Sequence, residues 1–360
     1  MYQKVPYQNI QYGELYHEAE VLAGVDHFIQ EVCLGSYDLY LENLMIDLQK
    51  LVKSFKPIYN ANFFYCNTVQ IFIEVVNIVD RTLSLMPQAD HDCIVCFDDM
   101  TVWHILTYIQ SLSSCVQQQL IDFQQRELKN QQSLFKYTST LIHHYARTLV
   151  VRVDLSIKKE YQALYNIQAF NQALEVLLRR IADQDTCFSG LHGYAWALEH
   201  GISKGYHCHL LLMYDGNMHK DGFKMGQWVG QCWEQITHGC GYIFNCNHPD
   251  YMNRYEAMGT LGIGMTHSKN PDQVYNFLNY VIPYLVNDEK EQQHLRVKDS
   301  AYMRSFGEDR APTVYVPSDG LLLVPSVDST ALVRVTREGE VSREFEVPIG
   351  SQVRLSRQDL

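Results

Sequence analysis

The sequence predicts an α+β protein: an antiparallel sheet with helices on one face, preceded by a helical N-terminal domain and followed by a small β tail. Three observations predict this class. Apolar residues recur at helical spacing through residues 1–139. Residues 140–310 alternate compact β-branched runs with amphipathic helical patterns. Residues 311–360 contain short strand-like runs separated by turn residues. We therefore predict three domains with these boundaries.

Composition places the chain among ordinary globular proteins. It has 360 residues, of which 46% are hydrophobic and 19% are charged. It has no apolar run of about 18 residues, the length needed to span a bilayer, and its first residues lack the basic and apolar regions of a secretory signal. We expect a cytoplasmic protein with no membrane partner. Its 10 cysteines then favour reduced core residues over a disulfide framework.

The net charge of the chain does not indicate binding to nucleic acid. The formal net charge is −12, and most of the acidic excess lies in residues 1–139. Residues 140–310 are close to neutral. A bound cation would add positive charge there, so contact with a phosphate backbone is permitted.

The helical pattern of the N-terminal third has two clear stretches and one ambiguous stretch. Leu41 to Val52 and Trp103 to Leu112 carry apolar residues at helical spacing. The glutamine-rich residues 117–132 are typical of either a polar helix or a loose connector.

The predicted elements of the middle domain follow the order β-α-β-β-α-β-α. This order favours an antiparallel sheet with helices packed on one face. The predicted elements are a strand at 148–155, a helix at 161–178, strands at 194–199 and 206–212, a helix at 225–233, a strand at 260–265 and a helix beginning at 270–272.

Two histidines flank one residue in the apolar run that follows Tyr206. Alternate side chains of a strand point to the same face, so His207 and His209 share a face. If the preceding loop closes a hairpin with Glu199 opposite His207, the Glu199 carboxylate lies on the same face as the two imidazoles. Two imidazoles and a carboxylate on one sheet face predict a divalent-metal site with open positions for a substrate phosphate.

A tyrosine-bearing helix follows downstream. Tyr280 and Tyr284 lie four residues apart, so a regular helix would place them on one face. Pro283 removes a backbone donor, and we expect a kink there. A tyrosine hydroxyl is a poor nucleophile at neutral pH, but beside a metal-bound phosphate it becomes a candidate.

These residues resemble the rolling-circle replication initiators of the HUH endonuclease class. More closely, residues 145–310 resemble the inovirus-type replication proteins of filamentous phages and prophages, the YagK/YfjJ C-terminal domain family. The resemblance depends on three segments, which are Val151-Arg152-Val153-Asp154-Leu155, Gly205-Tyr206-His207-Cys208-His209-Leu210-Leu211-Leu212 and Arg304-Ser305-Phe306-Gly307.

The resemblance implies an HUH-type, ferredoxin-like palm that nicks and joins single-stranded DNA. His207, His209 and Glu199 would bind Mg²⁺ or Mn²⁺. Tyr284 would attack the scissile phosphate, leaving a 5′-phosphotyrosine link and a free 3′-OH, with Tyr280 as the nucleophile instead or as a second one. The partners implied are single-stranded DNA or an origin hairpin, together with a host helicase and polymerase.

One position departs from that class. The class usually has a lysine three residues after the nucleophile, whereas Asn287 follows Tyr284 at that spacing. Lys290 could substitute for it. Two alternatives therefore stay open: a catalytically degenerate prophage protein that binds DNA without cutting it, and a metal-dependent phosphodiesterase that uses water.

Other charged residues and one cysteine pair are further candidates. Arg152 could contact a phosphate, Asp154 could join the metal site, or the two could form an ion pair. Arg304 could contact the DNA backbone. Cys93 and Cys96 have zinc-like spacing without a matching second pair, which favours free cysteines.

Overall fold

The computed structural model confirms the predicted α+β class. It describes residues 17–35, 41–85, 97–201, 204–286, 293–309, 322–326, 329–335 and 341–345. The chain divides into two compact units, Met1–Ala311 and Pro312–Leu360. No helix in the described part of the chain is long and apolar enough to cross a membrane.

The N-terminal part of the first unit is helical, as predicted. Its helices are α1 (Glu18–Leu34), α2 (Leu41–Phe55), α3 (Asn67–Ser84), α4 (Asp99–Ser111) and α5 (Ser113–His144). The glutamine-rich stretch is therefore a helix, because it lies within α5. Residue 139, where we place the first domain boundary, also lies inside α5, whose last turns pack on the sheet that follows.

The central sheet is antiparallel, in the order β5-β2-β4-β3-β8, with β6 also paired to β2. Its strands are β2 (Arg147–Ile157), β3 (Leu191–Gly201), β4 (Gly205–Asp215), β5 (Gly241–Asn245), β6 (Gly264–His267) and β8 (Phe306–Glu308). A separate two-stranded ladder joins β1 (Phe64–Tyr65) to β7 (Val297–Lys298). β4 is paired on both sides and buried along almost its whole length, which explains its nearly continuous apolar sequence.

One face of this sheet is covered by α6 (Ile167–Ala182) and α7 (Gly222–Ile236), in the core that also contains α1. The other face carries a second core of alternate strand residues, such as Leu211 and Met213. The last turns of α5 and the tyrosine-bearing helix pack against it. His207 and His209 lie on this second face, and they form the candidate site there.

β5 and α8 (Pro249–Ala257) have no counterpart in the predicted order. β5 has exposed Tyr242 and Phe244 on an edge of the sheet, so it lacks the buried pattern by which strands are recognised in a sequence. The strand predicted at 260–265 instead spans Gly264–His267. The backbone at Gly262 lies too close to that of Asn276 to leave room for a side chain.

The tyrosine-bearing helix consists of three pieces: α9 (Pro271–Asn276), a π-helical turn (Phe277–Val281) and α10 (Ile282–Leu285). We expect a kink at Pro283, but the irregular stretch is this π turn, and Pro283 lies in the first turn of α10. A proline is tolerated there because the first turn of a helix leaves its N–H groups without helical partners.

The second unit is a three-stranded antiparallel sheet of β9 (Leu322–Ser326), β10 (Ser329–Val335) and β11 (Val341–Phe345). The predicted small β tail is therefore confirmed.

Candidate metal centre

The β3–β4 hairpin brings the three predicted ligands to one sheet face. Its register pairs Glu199 with His207 and Ala197 with His209, and directly paired residues lie on the same face. The hairpin closes from Gly201 to Gly205, whose φ of 64° suits glycine. The predicted convergence of Glu199 with the two histidines is therefore present in the structure.

The three side chains meet at their polar ends. Glu199 Oε2 lies 3.4 Å from His207 Nε2 and 3.2 Å from His209 Nε2. All three potential ligand atoms lie within 4.8 Å of one another. The imidazoles are almost fully buried, and the Glu199 side chain is 11% exposed. This spacing is compact enough for one cation to contact all three groups.

Hydrogen bonds at the far side of each ring orient the imidazoles. His209 Nδ1–H donates to Asp154 Oδ1 at 2.7 Å, and His207 Nδ1–H donates to the carbonyl of Gly205 at 3.1 Å. In the neutral rings, each Nε2 then presents a lone pair towards Glu199. Lone pairs and a carboxylate repel one another unless a proton or a cation lies between them, so this donor set fits a divalent metal ion.

Asp154 lies behind His209 and is itself held by Arg152. The Arg152 guanidinium donates to Asp154 at 3.1 and 3.3 Å. Burial alone would raise the pKa of Asp154, but the charge of Arg152 and the hydrogen bonds from His209 and Arg152 lower it well below the ordinary value. Asp154 is therefore a carboxylate at neutral pH and strengthens His209 as a ligand.

Tyr284 lies directly over this group of side chains. Its ring centroid is 3.8 Å from the Arg152 guanidinium carbon and 5.7 Å from the centroid of the His209 ring. The residue is half-buried. A phenol is therefore placed next to a candidate ligand, with a cation stacked on its ring.

Tyr280 does not share that position. It is 46% exposed, and its ring lies 6.1 Å from that of Tyr275. The structure therefore brings Tyr284, and not Tyr280, beside the candidate ligands.

Of the remaining predicted DNA-binding residues, Arg304 and Lys290, only Arg304 is among the described residues. Arg304 is exposed just before β8, where its charge acts on the Glu308 carboxyl. Lys290 and Asn287, like Cys93 and Cys96, lie outside the described residues.

Asn247 is a site residue that the sequence reasoning missed. Its buried side chain accepts a hydrogen bond from the Arg152 backbone N–H at 2.9 Å and donates to the Val150 carbonyl at 3.0 Å. It thus holds the strand that carries Arg152 and Asp154. A single asparagine after an unpredicted strand gives no sequence signal for this role.

Residues 108–240 match the family model of the YagK/YfjJ C-terminal domain, which is associated with prophages. The matched region contains the whole β3–β4 hairpin and ends before the helix that carries Tyr284. No curated protein and no solved structure matches the chain.

Proposed function

We propose that this protein is a metal-dependent, rolling-circle-type replication initiator that nicks and rejoins single-stranded DNA. The observation that carries the proposal is the phenol of Tyr284 beside a two-histidine, one-carboxylate group on the same sheet face. Mg²⁺ or Mn²⁺ bound by Glu199, His207 and His209 would polarise the scissile phosphate and draw charge away from phosphorus.

The chain's own residues supply the nucleophile and its positioning. The hydroxyl oxygen of Tyr284 forms the new bond to phosphorus while the bond from phosphorus to the 3′-oxygen breaks. The phenolic proton passes to solvent, and the departing 3′-oxygen takes up a proton. The products are a 5′-phosphotyrosine and a free 3′-OH, and the reverse reaction rejoins the strand.

Arg152 positions the nucleophile in this step. Its guanidinium is stacked on the Tyr284 ring and is fixed by Asp154, so it holds the phenol beside His209. We assign it this positioning role in place of direct contact with a DNA phosphate.

Covalent capture tests the proposal. The full-length protein is incubated with Mn²⁺ and short single-stranded oligonucleotides of random sequence, and denaturant-resistant protein–DNA products are isolated and sequenced. We expect a product with the wild type and with Tyr280→Phe, but none with Tyr284→Phe or His207→Ala. Loss of the covalent product in Tyr280→Phe, but not in Tyr284→Phe, would identify Tyr280 as the nucleophile.

The same experiment separates the two alternatives. Repeated cleavage without any covalent product would indicate a phosphodiesterase that uses water. Binding without cleavage under any divalent metal would indicate a degenerate DNA-binding protein, and recovery of nicking in Asn287→Lys would identify the missing lysine as the cause. Either result contradicts the nickase proposal for the natural chain.

A further inference from the structure

A cavity of about 280 Å³ opens beside the metal centre. Glu199 forms part of its wall, so the cavity is continuous with the candidate ligands. Its other walls come from α5, from the β1–β7 ladder and from the chain that leads into β8. The volume is just below the range of roughly 300–1,000 Å³ for small-molecule pockets, which suits one small ring system.

Two cationic side chains and four aromatic side chains line this cavity, the aromatic ones being Phe64, Tyr65, Phe123 and Phe306. Phe64 and Lys298 are directly paired across the β1–β7 ladder, so they point to the same side of it. Phe64 is 51% exposed. Arg126 of α5 and Phe306 line the cavity as well. Stacking surfaces and cations next to a metal centre are the combination that binds single-stranded nucleic acid.

The cations of this cavity lie close enough to affect each other. Burial and then the charge of Arg126 lower the pKa of Lys298. Among the described residues, the charged partner of Arg126 is its neighbour Glu127, at 3.9 Å, and no ion pair forms at Lys298. An anionic group between Arg126 and Lys298 would relieve their repulsion.

The same wall also holds two carboxylates. Asp122 accepts a hydrogen bond from Gln118 at 2.8 Å, and Glu127 accepts one from Asn130 at 3.3 Å. They disfavour a phosphate beside them. A neutral base beside the carboxylates and a phosphate between Arg126 and Lys298 satisfy both sets of charges.

The position of Tyr284 sets the direction of the strand. Tyr284 lies over β2 and β4, whereas the cavity lies beyond β3, so the two are on opposite sides of the ligand group. In an in-line displacement the nucleophile and the leaving oxygen are on opposite sides of phosphorus. The leaving 3′-oxygen therefore points towards the cavity.

We infer that this cavity is a nucleotide subsite, which holds the nucleotide on the 5′ side of the nick, with its base beside Phe64 and its own 5′-phosphate between Arg126 and Lys298. The inference deepens the proposed nickase function and rests on it for the direction of the strand. It also gives the N-terminal helices a role, because α5 and β1 build a subsite for the chemistry on the sheet.

Fluorescence anisotropy with fluorescein-labelled single strands of random sequence tests the subsite. The protein is full-length Tyr284→Phe with Mn²⁺, so that no covalent product interferes. We expect Arg126→Ala and Lys298→Ala each to weaken binding by about tenfold, the loss of one charge-assisted contact. Each should also reduce the salt dependence of log Kd by about one.

Matched controls separate the cavity from general charge effects. Lys50→Ala and Lys56→Ala remove exposed lysines of α2 and its C-terminal end, and we expect binding within about twofold of the parent. Mn²⁺ affinity should stay unchanged in all four variants. If the cavity variants bind like these controls, or if the parent protein does not bind, the subsite is wrong.

Photocrosslinking locates the strand directly. With p-benzoylphenylalanine in place of Phe64, we expect a Mn²⁺-enhanced crosslink to the oligonucleotide. Trp103, exposed on α4, is the matched control position and should give none. Crosslinking at neither position, or equally at both, would overturn the inference.

The two proposals fail in different ways. A covalent product that forms normally in Arg126→Ala and Lys298→Ala, together with unchanged binding, would remove the subsite and leave the nickase. Cavity-dependent binding with no covalent product from the wild type would remove the nickase, and with it the assigned strand direction.

Discussion

At the scale of single residues, Asp154 links the first strand of the sheet to the candidate metal centre. It accepts hydrogen bonds from His209 and from Arg152, and these two side chains also flank the Tyr284 ring. One carboxylate therefore orients a candidate ligand and fixes the cation that stacks on Tyr284. Its importance cannot be read from spacing alone, because the pattern Arg152-x-Asp154 equally predicts an isolated ion pair.

We predict that Asp154→Asn weakens Mn²⁺ binding by about 10- to 100-fold, the usual cost of removing an outer hydrogen-bond partner from a ligating histidine. Isothermal titration calorimetry measures this affinity. The control is Glu234→Gln, which changes an exposed carboxylate on α7 that pairs with Lys158. Equal Mn²⁺ affinities for Asp154→Asn and the wild type would show that Asp154 does not support His209.

Glu18 is a second buried carboxylate with a clear electrostatic consequence. Its Oε1 accepts hydrogen bonds from the Tyr206 hydroxyl and from the Ile167 N–H, both at 2.7 Å. Burial raises its pKa above the ordinary value, although both hydrogen bonds oppose this shift. The folded state therefore holds a proton on Glu18 more tightly than the unfolded state does.

The sign of the pH dependence follows from this raised pKa. The contribution of Glu18 to stability is fully present below the ordinary carboxyl pKa and is lost as pH rises through the raised value. We predict that the unfolding free energy of Glu18→Gln, relative to the wild type, increases from pH 4 to pH 7, because only the wild type loses a stabilising proton over this range. Urea unfolding at several pH values measures it, and a constant difference would contradict the prediction.

At the scale of elements, the hairpin and the start of the tyrosine-bearing helix could be predicted, and the π turn within that helix could not. The shared face of the β3–β4 hairpin depends on strict side-chain alternation and on a short loop, both of which are local in sequence. The π turn packs against the sheet through non-local contacts. Local periodicity therefore recovers the candidate ligands but not the irregular winding of the helix that carries Tyr280 and Tyr284.

Close packing of α5 on β3 offers a test at the level of elements. A Cβ on Gly193 would collide with the Tyr137 hydroxyl and lie 2.8 Å from Leu141 Cδ1. We predict that Gly193→Ala lowers the unfolding free energy by about 1–3 kcal/mol, the typical cost of overpacking. Urea unfolding measures this loss.

The Tyr137 hydroxyl provides the control for that prediction. Because Tyr137→Phe removes the colliding oxygen, the penalty of Gly193→Ala should be smaller in the Tyr137→Phe background. The hydroxyl also accepts a hydrogen bond from the Tyr194 N–H at 3.1 Å, so the comparison is made between the two single variants and the double variant. Identical penalties in both backgrounds would mean that the collision is absent.

At the scale of the first compact unit, a buried ion pair joins its two ends. Arg296 Nε donates to Asp26 Oδ2 at 2.7 Å, and both side chains are almost fully buried. Asp26 also accepts a hydrogen bond from the Thr68 hydroxyl at 2.6 Å. Asp26, Cys66 and His294 are close enough to bind a metal ion, but Arg296 already neutralises the carboxylate, so we interpret this group as structural.

We predict that Arg296→Met lowers the unfolding free energy by about 3–5 kcal/mol, because it leaves the Asp26 charge buried without its cation. The matched control is Lys56→Met, which breaks the exposed ion pair with Asp80 and should cost less than about 1 kcal/mol. Chemical unfolding measures both. Similar losses in the two variants would show that burial does not strengthen the Asp26–Arg296 interaction.

The strand order of the sheet explains which parts of the fold could be predicted from local sequence patterns. Paired, buried strands such as β2 and β4 were predicted, and the edge strand β5 was not. Likewise, the cavity walls come from residues far apart in the chain, such as Phe64 and Lys298, which meet only through the fold. Sequence patterns within one segment cannot predict contacts between segments that are far apart in the chain.

The π-helical turn has a consequence for deletions in this helix. A π turn takes nearly one residue more than an α turn to complete a rotation, so removing a single amino acid from Phe277–Val281 would let the segment wind as a regular α-helix with little rotation of the residues that follow. A one-codon deletion would thus leave the Tyr284 ring facing His209.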